Sequence, residues 1–225
     1  MTDTVTASVE NAPTPAKPAR PARNQPARSS VLPVLEQLAA FYPSLFGAVF
    51  LPLKRGIFQD LLTAHPEVFE REALKAALSM HTRSTRYLSA VAAGQQRHDL
   101  QGQPVEAMAP EHVHHALLEV FRRRQARTQD DLRPKLRERI VQVFTASGLS
   151  PQAYTELVHS RDEVANSVLE EALADAQALA AKDEALLRAF EGSAQTVEVF
   201  ADMYGMDPRL VTRMLERARA RTVAA

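Results

Sequence analysis

Hydrophobic residues recur at helical spacing through much of the first half of the chain. Between Val31 and Tyr42 they fall three and four residues apart, which is typical of an amphipathic helix, and Pro43 ends the pattern. The second predicted helix starts after Pro52, because proline favours the first turn of a helix. In all, the spacing predicts five helices in this half, over about 31–42, 53–64, 70–80, 84–93 and 110–128.

Residues 97–106 follow a different pattern. Two short segments, 97–100 and 103–106, flank the pair Gln101-Gly102. A glycine in a tight turn between two such segments is typical of a β-hairpin. Residues 31–128 are therefore predicted to form an α+β fold that is mainly helical, with one small hairpin.

The second half is predicted to be entirely helical. Helices are expected over about 132–146 and 162–189, with Pro151 restarting the chain between them. The apolar stripe of the second helix would pack within the chain or against a second copy, so self-association through these helices is one expectation. Residues 200–214 have the spacing of a helix-turn-helix, with Gly205 in the turn and Pro208 opening the second helix.

Composition limits the class of protein. The chain has 225 residues, of which 45% are hydrophobic and 24% are charged, and both values are typical of globular proteins. The longest apolar run, 45–53, is too short to cross a bilayer, and the chain does not open with a signal-peptide pattern. The absence of cysteine excludes disulfides, thiol catalysis and cysteine zinc sites. We therefore expect a cytoplasmic protein that does not insert into membranes.

The charge of the chain is balanced in total and uneven in distribution. There are 27 basic and 27 acidic residues, and a net charge of zero by itself counts against nucleic-acid binding. However, residues 1–30 carry +2, residues 31–129 carry +2 and residues 130–225 carry −4. The first segment is rich in proline, alanine and arginine, so a disordered arm is expected there. Residues 129–225 are expected to form an acidic helical accessory module.

One part of the central segment has a composition that suits RNA. Basic side chains neutralise phosphates, and an aromatic ring among them offers a surface on which an unpaired base can stack. The alternative is an ordinary solvated face with the tyrosine in the core. From residue 73 to residue 98 there is no acidic residue, but the segment holds Lys75, Arg83, Arg86, Tyr87 and Arg97.

Several short strings of this segment resemble the ProQ/FinO domain in both order and spacing. The resemblance covers about residues 31–128 and implies a compact, mostly helical RNA chaperone. It also implies structured RNA ligands, namely terminator-like hairpins with single-stranded 3′ ends, among small regulatory RNAs and mRNAs. The strings are PLKRGIFQDL at 52–61, ALKAAL at 73–78, TRSTRYL at 82–88, RHDLQG at 97–102 and EHV at 111–113.

The resemblance also implies which residues contact RNA. Position by position, the family's contact residues correspond to Lys54, Lys75, Arg86, Tyr87 and Arg97. Guanidinium groups can bind phosphate oxygens through two hydrogen bonds, whereas lysines act as point charges. The candidate set is completed by four neighbouring residues, Arg55, His81, Thr82 and Arg83.

Two further features bear on this candidate site. Free backbone N–H groups near Lys54, and near Thr82 or Ser84, are expected at helix starts, where they could hold a phosphate. The chain also departs from the family at Ser79, His81 and Thr85, where relatives often have a basic residue, tyrosine and tryptophan, respectively. The RNA preference of this chain therefore does not follow from the resemblance.

Other clusters were weighed for chemistry. His112 and His115 lie one turn apart, but without a distant third ligand they make an incomplete metal site, so no metal or cofactor is expected. The arginines at 122–124 and 127 either complement the end of a helix dipole or extend the RNA contact. The sequence contains no Gly-rich phosphate loop, nucleophile elbow or paired-carboxylate motif, so an enzyme is not expected.

Two alternative functions remain open from the sequence. A DNA-binding transcriptional regulator would use the helix-turn-helix-like end, with Arg209, Thr212 and Arg213 on the second helix. The charge of −4 on that half would repel a duplex. A protein-interaction scaffold is the other alternative.

Overall fold

The computed structural model describes residues 28–224, and side chains over residues 31–221. The arm predicted over residues 1–30 lies outside this range, apart from 28–30, which start the first helix. Between residues 28 and 224 the chain forms eleven helices and a two-stranded antiparallel sheet, which is the mainly helical α+β fold that the sequence predicts. The order is α1 Arg28–Phe41, α2 Pro43–Phe46, α3 Ile57–Ala64, α4 Arg71–Thr82, α5 Thr85–Ala92, β1 Arg97–His98, β2 Pro104–Glu106, α6 Pro110–Gln125, α7 Arg133–Ser147, α8 Pro151–Val158, α9 Glu163–Ser193, α10 Val197–Met203 and α11 Pro208–Ala224.

The hairpin forms where the sequence predicts it. Arg97 pairs with Glu106 and His98 with Pro104, with an irregularity between the two pairs. The Asp99 carboxylate closes the turn by accepting hydrogen bonds from the backbone N–H groups of Gln101 and Gln103, at 3.0 and 2.9 Å. This side chain holds the turn and so fixes the position of β1.

The start of α3 differs from the prediction. The helix begins at Ile57, after Gly56 in a left-handed conformation, rather than at 53. Residues 52–54 are extended because they bond to β1: the N–H of His98 donates to the Pro52 carbonyl at 2.7 Å, and the N–H of Lys54 donates to the His98 carbonyl at 2.8 Å. The prediction that a helix starts directly after Pro52 was wrong, because the backbone groups of Pro52 and Lys54 form hydrogen bonds with β1 instead.

Two helix starts in the middle of the domain are capped by side chains. Glu70 accepts hydrogen bonds from the N–H groups of Glu72 and Ala73 at the start of α4. The Ser84 hydroxyl accepts from the N–H of Tyr87 at the start of α5. The Ser84 cap lies at the short α4–α5 junction around residue 83, where exposed cations are also found.

The main hydrophobic core continues past residue 128, where the sequence predicts a domain boundary. It holds residues of α1 to α6 together with residues of α7, α8 and the first half of α9. Tyr154 of α8 is fully buried, and its hydroxyl lies 3.1 Å from the His114 ring on α6. The acidic half therefore contributes directly to the packing of the central segment. Its core residues are Leu136, Ile140, Tyr154, Val158, Ala165, Val168, Leu169, Ala172 and Leu173.

A second, smaller core forms at the end of the chain. The last part of α9 packs against α10 and α11 through Leu187, Phe200, Val211 and Leu215. A turn with Gly205 at a positive φ joins α10 to α11. Helix α9 has 31 residues and belongs to both cores.

Candidate nucleic-acid interface

Three segments of the candidate site meet at the backbone of Leu53. Its N–H donates to the Tyr87 hydroxyl at 3.0 Å, and its carbonyl accepts from Arg97 Nη1, also at 3.0 Å. Tyr87 is 7% exposed, and the Arg97 side chain is 15% exposed. The backbone N–H of Leu53 is thus fixed by a side chain of α5, and its carbonyl is fixed by a side chain of β1. The two residues that follow, Lys54 and Arg55, are held in place as a result.

Acidic partners accompany the cations next to Leu53. Lys54 Nζ lies 2.8 Å from Asp60 Oδ2, and this hydrogen bond and charge raise the pKa of the lysine. Arg55 donates two hydrogen bonds to Glu106 Oε2, from Nη2 at 2.7 Å and from Nε at 3.0 Å. These bonds lower the pKa of the Glu106 carboxyl. Glu106 also lies 3.5 Å from Arg97 Nε. A phosphate binding here must compete with carboxylates that are already in place.

Two arginines at the α4–α5 junction have no such partner. Arg83 and Arg86 are exposed, and no carboxylate of the described residues lies within 4 Å of either. The Arg86 guanidinium sits 4.6 Å from the centre of the Phe50 ring and donates to the Ala48 carbonyl. Lys75, one helix earlier, is 70% exposed and 3.8 Å from Glu72. The uncompensated positive charge of the candidate site is thus concentrated at this junction.

His81 does not lie on the surface. It is 4% exposed and packs against the rings of Phe46, Phe50 and Tyr87, at centroid distances of 4.7, 4.3 and 5.3 Å. Its Nε2 has no hydrogen-bond partner among the described residues, and burial lowers the pKa of the ring to about 4. The structure therefore places it beneath the site, as support for Tyr87. The prediction of a direct contact with RNA needs correction at this residue.

Free backbone N–H groups, which the sequence predicts near Lys54 and near Thr82 or Ser84, are present at one of the two places among the described residues. The N–H of Lys54 is already bonded to the His98 carbonyl, so it is not free for a phosphate. At α5, Ser84 caps the N–H of Tyr87, whereas those of Thr85 and Arg86 have no acceptor among the described residues. Thr82 instead donates its hydroxyl to the Leu78 carbonyl at 2.8 Å. The start of α5 keeps two free donors next to Arg86.

Arg123 belongs to this region, although the sequence left its role open. Its Nη1 donates to the Arg83 carbonyl at 2.8 Å and to the Thr85 hydroxyl at 3.1 Å. It also pairs with Glu119 at 2.8 Å. The residue ties the end of α6 to the α4–α5 junction. The sequence shows a string of four arginines at 122–124 and 127. The fold shows that Arg123 is the one that reaches the α4–α5 junction.

The histidines of α6 do not form a metal centre. Among the described residues, no group of three or more His, Cys, Asp or Glu side chains is arranged to hold a metal ion. His112 lies 3.5 Å from Arg97 instead, and His114 is buried, which lowers the pKa of its ring to about 4. Nor does any described helix combine the length and apolar character needed to cross a bilayer.

The segment that carries this geometry is similar to a known protein family. Residues 28–133 match the ProQ/FINO family. The match includes the whole of 31–128, the range over which the sequence resembles the ProQ/FinO domain, and every residue of the candidate site.

Curated proteins and solved structures are also similar to this chain. The RNA chaperone ProQ of Aeromonas salmonicida (strain A449) is 39% identical over 89 residues, which are 36% of this chain and 42% of that one, and the RNA chaperone ProQ of Aeromonas hydrophila subsp. hydrophila gives the same values. The chain thus spans about two fifths of the length of these curated relatives. Two solved structures are also similar. A FinO-like RNA chaperone from Neisseria meningitidis MC58 is 29% identical, with a TM-score of 0.39 over 45% of this chain and 88% of that one. A ProQ homolog from Legionella pneumophila is 26% identical, with a TM-score of 0.35 over 51% of this chain and 99% of that one.

Proposed function

We propose that this protein is an RNA chaperone, not an enzyme, and that it binds structured RNA through its ProQ/FINO domain. The surface involved is called the basic patch and consists of Lys54, Arg55, Lys75, Arg83, Arg86 and Arg97. The observation that carries the proposal is the pair Arg83 and Arg86, two exposed guanidinium groups without a carboxylate partner among the described residues. The free N–H groups at the start of α5 lie beside them.

The RNA ligands proposed are terminator-like hairpins with single-stranded 3′ ends, in small regulatory RNAs and mRNAs of the cytoplasm. The cations would contact the phosphates of the hairpin stem, because A-form RNA is recognised largely through its backbone and shape. Tyr87 and His81 are buried and would support the patch without contacting RNA. Tyr87 bonds to the backbone of Leu53, next to Lys54, and His81 packs against Tyr87.

The test compares Arg86→Gln with a matched control, Arg219→Gln, an exposed arginine on α11. Binding to a terminator hairpin with a U-rich tail would be measured by fluorescence anisotropy over a range of salt concentrations. Arg86→Gln is expected to weaken binding about tenfold and to reduce the salt dependence by about one counterion. Equal affinity for wild type, Arg86→Gln and Arg219→Gln would refute the assignment of the site.

A second candidate function is DNA binding by α10 and α11. The observation in its favour is that Arg209, Thr212 and Arg213 are all exposed on α11, after a helix-turn-helix-like turn. Duplex DNA titrated with wild type and with Arg209→Gln/Arg213→Gln would test it. If the DNA reader is α11, the double variant loses duplex binding and keeps hairpin binding.

We also propose that the protein self-associates through its C-terminal helices. Three large apolar side chains of α10 and its C-cap, Val199, Met203 and Tyr204, are 50, 60 and 58% exposed. Contact with a second copy would remove this surface from water. Sedimentation equilibrium of wild type and Met203→Gln would show a weaker dimer in the variant, and a monomer in both cases would contradict the proposal.

A further inference from the structure

A cleft of about 680 Å³ lies between α5, α6 and α7, beyond the basic patch. Its floor is apolar, with Leu117, Val120 and Leu136 almost fully buried and Phe121 partly buried. Pockets of this volume bind small organic ligands in other proteins. This volume suits a small ligand, such as a single base with its sugar, better than a duplex.

The rim of this cleft is positively charged. The lining includes three cations and one carboxylate, Arg124, Lys135, Arg139 and Glu138. Arg124 and Lys135 are exposed, and neither side chain forms a hydrogen bond or ion pair with another described residue. Arg139 is held in place by the Ala92 carbonyl, at 3.3 Å, and by Gln142. Two free cations over an apolar floor suit an anionic ligand with a flat apolar part.

The cleft and the candidate RNA interface share helices α5 and α6, since Arg86 lies at the start of α5 and the later residues Ser89 and Ala92 line the cleft. Arg123, which bonds to the Arg83 carbonyl and to Thr85, directly precedes Arg124 of the rim. The last turns of α6 thus carry one arginine that contacts the α4–α5 junction and one that lines the cleft. The far wall, with Lys135 and Leu136, comes from α7, mostly outside the segment that matches the family. The cleft is thus completed by the C-terminal half of this chain.

We propose that the cleft binds one unpaired nucleotide of an RNA held on the basic patch. The base lies on the apolar floor beside Phe121, and the neighbouring phosphates pair with Arg124 and Lys135. This inference rests on the proposed RNA-binding function and extends it, because it gives the single-stranded part of the ligand a separate site. The acidic half of the chain then takes part in RNA recognition through α7, a helix that itself carries a net positive charge.

The experiment compares Arg124→Gln/Lys135→Gln with Lys182→Gln/Arg219→Gln, which removes the same two charges from exposed positions on α9 and α11. Two RNA probes are used, one hairpin with a single-stranded U-rich tail and the same hairpin with a blunt end. The cleft variant is expected to bind the tailed probe about tenfold more weakly. Its affinity for the blunt probe, and the affinity of the control variant for both probes, should stay within about twofold of wild type.

A second readout uses 4-thiouridine in the tail. Crosslinks from the tail should fall within residues 117–139 in the wild type and disappear in the cleft variant. Equal losses on tailed and blunt probes, no loss on either, or crosslinks elsewhere would overturn the inference. Those outcomes leave the basic patch intact if Arg86→Gln still weakens both probes, whereas failure of the wild type to bind either probe would overturn the proposed function itself. Thermal melting of both double variants verifies that folding is unchanged.

Discussion

The Tyr87 hydroxyl accepts a hydrogen bond from the backbone N–H of Leu53, across 34 residues of sequence and inside the core. Leu53 immediately precedes Lys54 and Arg55 of the basic patch, so an internal side chain sets the position of two surface cations. Arg97 fixes the carbonyl of the same residue. We therefore expect Tyr87 to affect RNA binding through the positions of Lys54 and Arg55.

The Tyr87→Phe variant tests this arrangement. It removes no charge and little volume, but it leaves the buried Leu53 N–H without an acceptor, which costs about 1–2 kcal/mol of unfolding free energy. Hairpin affinity should fall several-fold as Lys54 and Arg55 lose their fixed position. Urea unfolding and hairpin titration measure the two effects. Tyr204→Phe, at an exposed tyrosine, is the control and should change neither quantity.

Removal of the Glu106 carboxylate should strengthen RNA binding. This side chain pairs with Arg55 and lies 3.5 Å from Arg97, so it competes with phosphate for both. In Glu106→Gln we expect hairpin affinity to rise about threefold at low salt, with a steeper salt dependence. Glu36→Gln removes the same charge from an exposed position on α1 and serves as the control. Lower affinity in Glu106→Gln would mean that the carboxylate positions the arginines more than it blocks them.

Stability should fall as the pH drops from about 7 to 5. Burial lowers the pKa of both His81 and His114 to about 4, against an ordinary value of 6.5. Between these values the unfolded chain binds a proton at each ring and the folded chain does not. The contribution of these two neutral rings to the free energy of unfolding is therefore fully present above about pH 6.5. It declines below that pH, by about 2 kcal/mol per histidine between pH 7 and pH 5.

Urea unfolding of wild type and His81→Leu at several pH values measures this decline. Leucine has a similar volume and no proton to bind, so about half of the pH dependence should disappear in the variant. From about pH 8 to 9 neither histidine contributes, and the two proteins should then show the same slope. An unchanged decline in the variant would show that other groups cause it.

The small C-terminal core depends on a buried carboxylate. Asp183 is fully buried and accepts hydrogen bonds from Arg217 and Arg221, at 2.8 to 2.9 Å. Burial alone would raise the pKa of this carboxyl, but the two guanidinium groups hold it below its usual value. We expect Asp183→Asn to lower the unfolding free energy by about 2 kcal/mol, because two half-exposed arginines lose a charged partner.

The matched control for this change is Glu184→Gln, which breaks the exposed pair with Arg188 on the same helix. Exposed ion pairs of this kind contribute little. Thermal melting followed by circular dichroism compares the two variants. Similar melting temperatures for Asp183→Asn and Glu184→Gln would show that the buried pair does not stabilise the core.

Hydrophobic spacing predicted the long helices and the hairpin, because those elements depend on local periodicity and turn residues. The same reasoning misplaced the start of α3, since the partner of residues 52–54 is a strand more than 40 residues away. It also missed α2, whose four residues are too few to show a period. Contacts between distant segments leave no signal in a local pattern.

The candidate site shows the same division. Charge and family resemblance were enough to select the cations at 54, 55, 75, 83, 86 and 97. They could not separate Arg83 and Arg86, which lack acidic partners among the described residues, from Arg55, which Glu106 neutralises. Nor could they show that His81 is buried or that Arg123 reaches the α4–α5 junction. Those distinctions arise only when separate helices come together.

Helix α9 connects the two hydrophobic cores as one continuous helix. At a rise of about 1.5 Å per residue its 31 residues extend over about 46 Å, and each end is seated in a different core. One alanine inserted after Ala178, between the residues that pack in the two cores, would turn α10 and α11 by about 100° relative to the main core, with both cores still packed. The number of residues in α9 therefore sets the angle between the main core and the small C-terminal core.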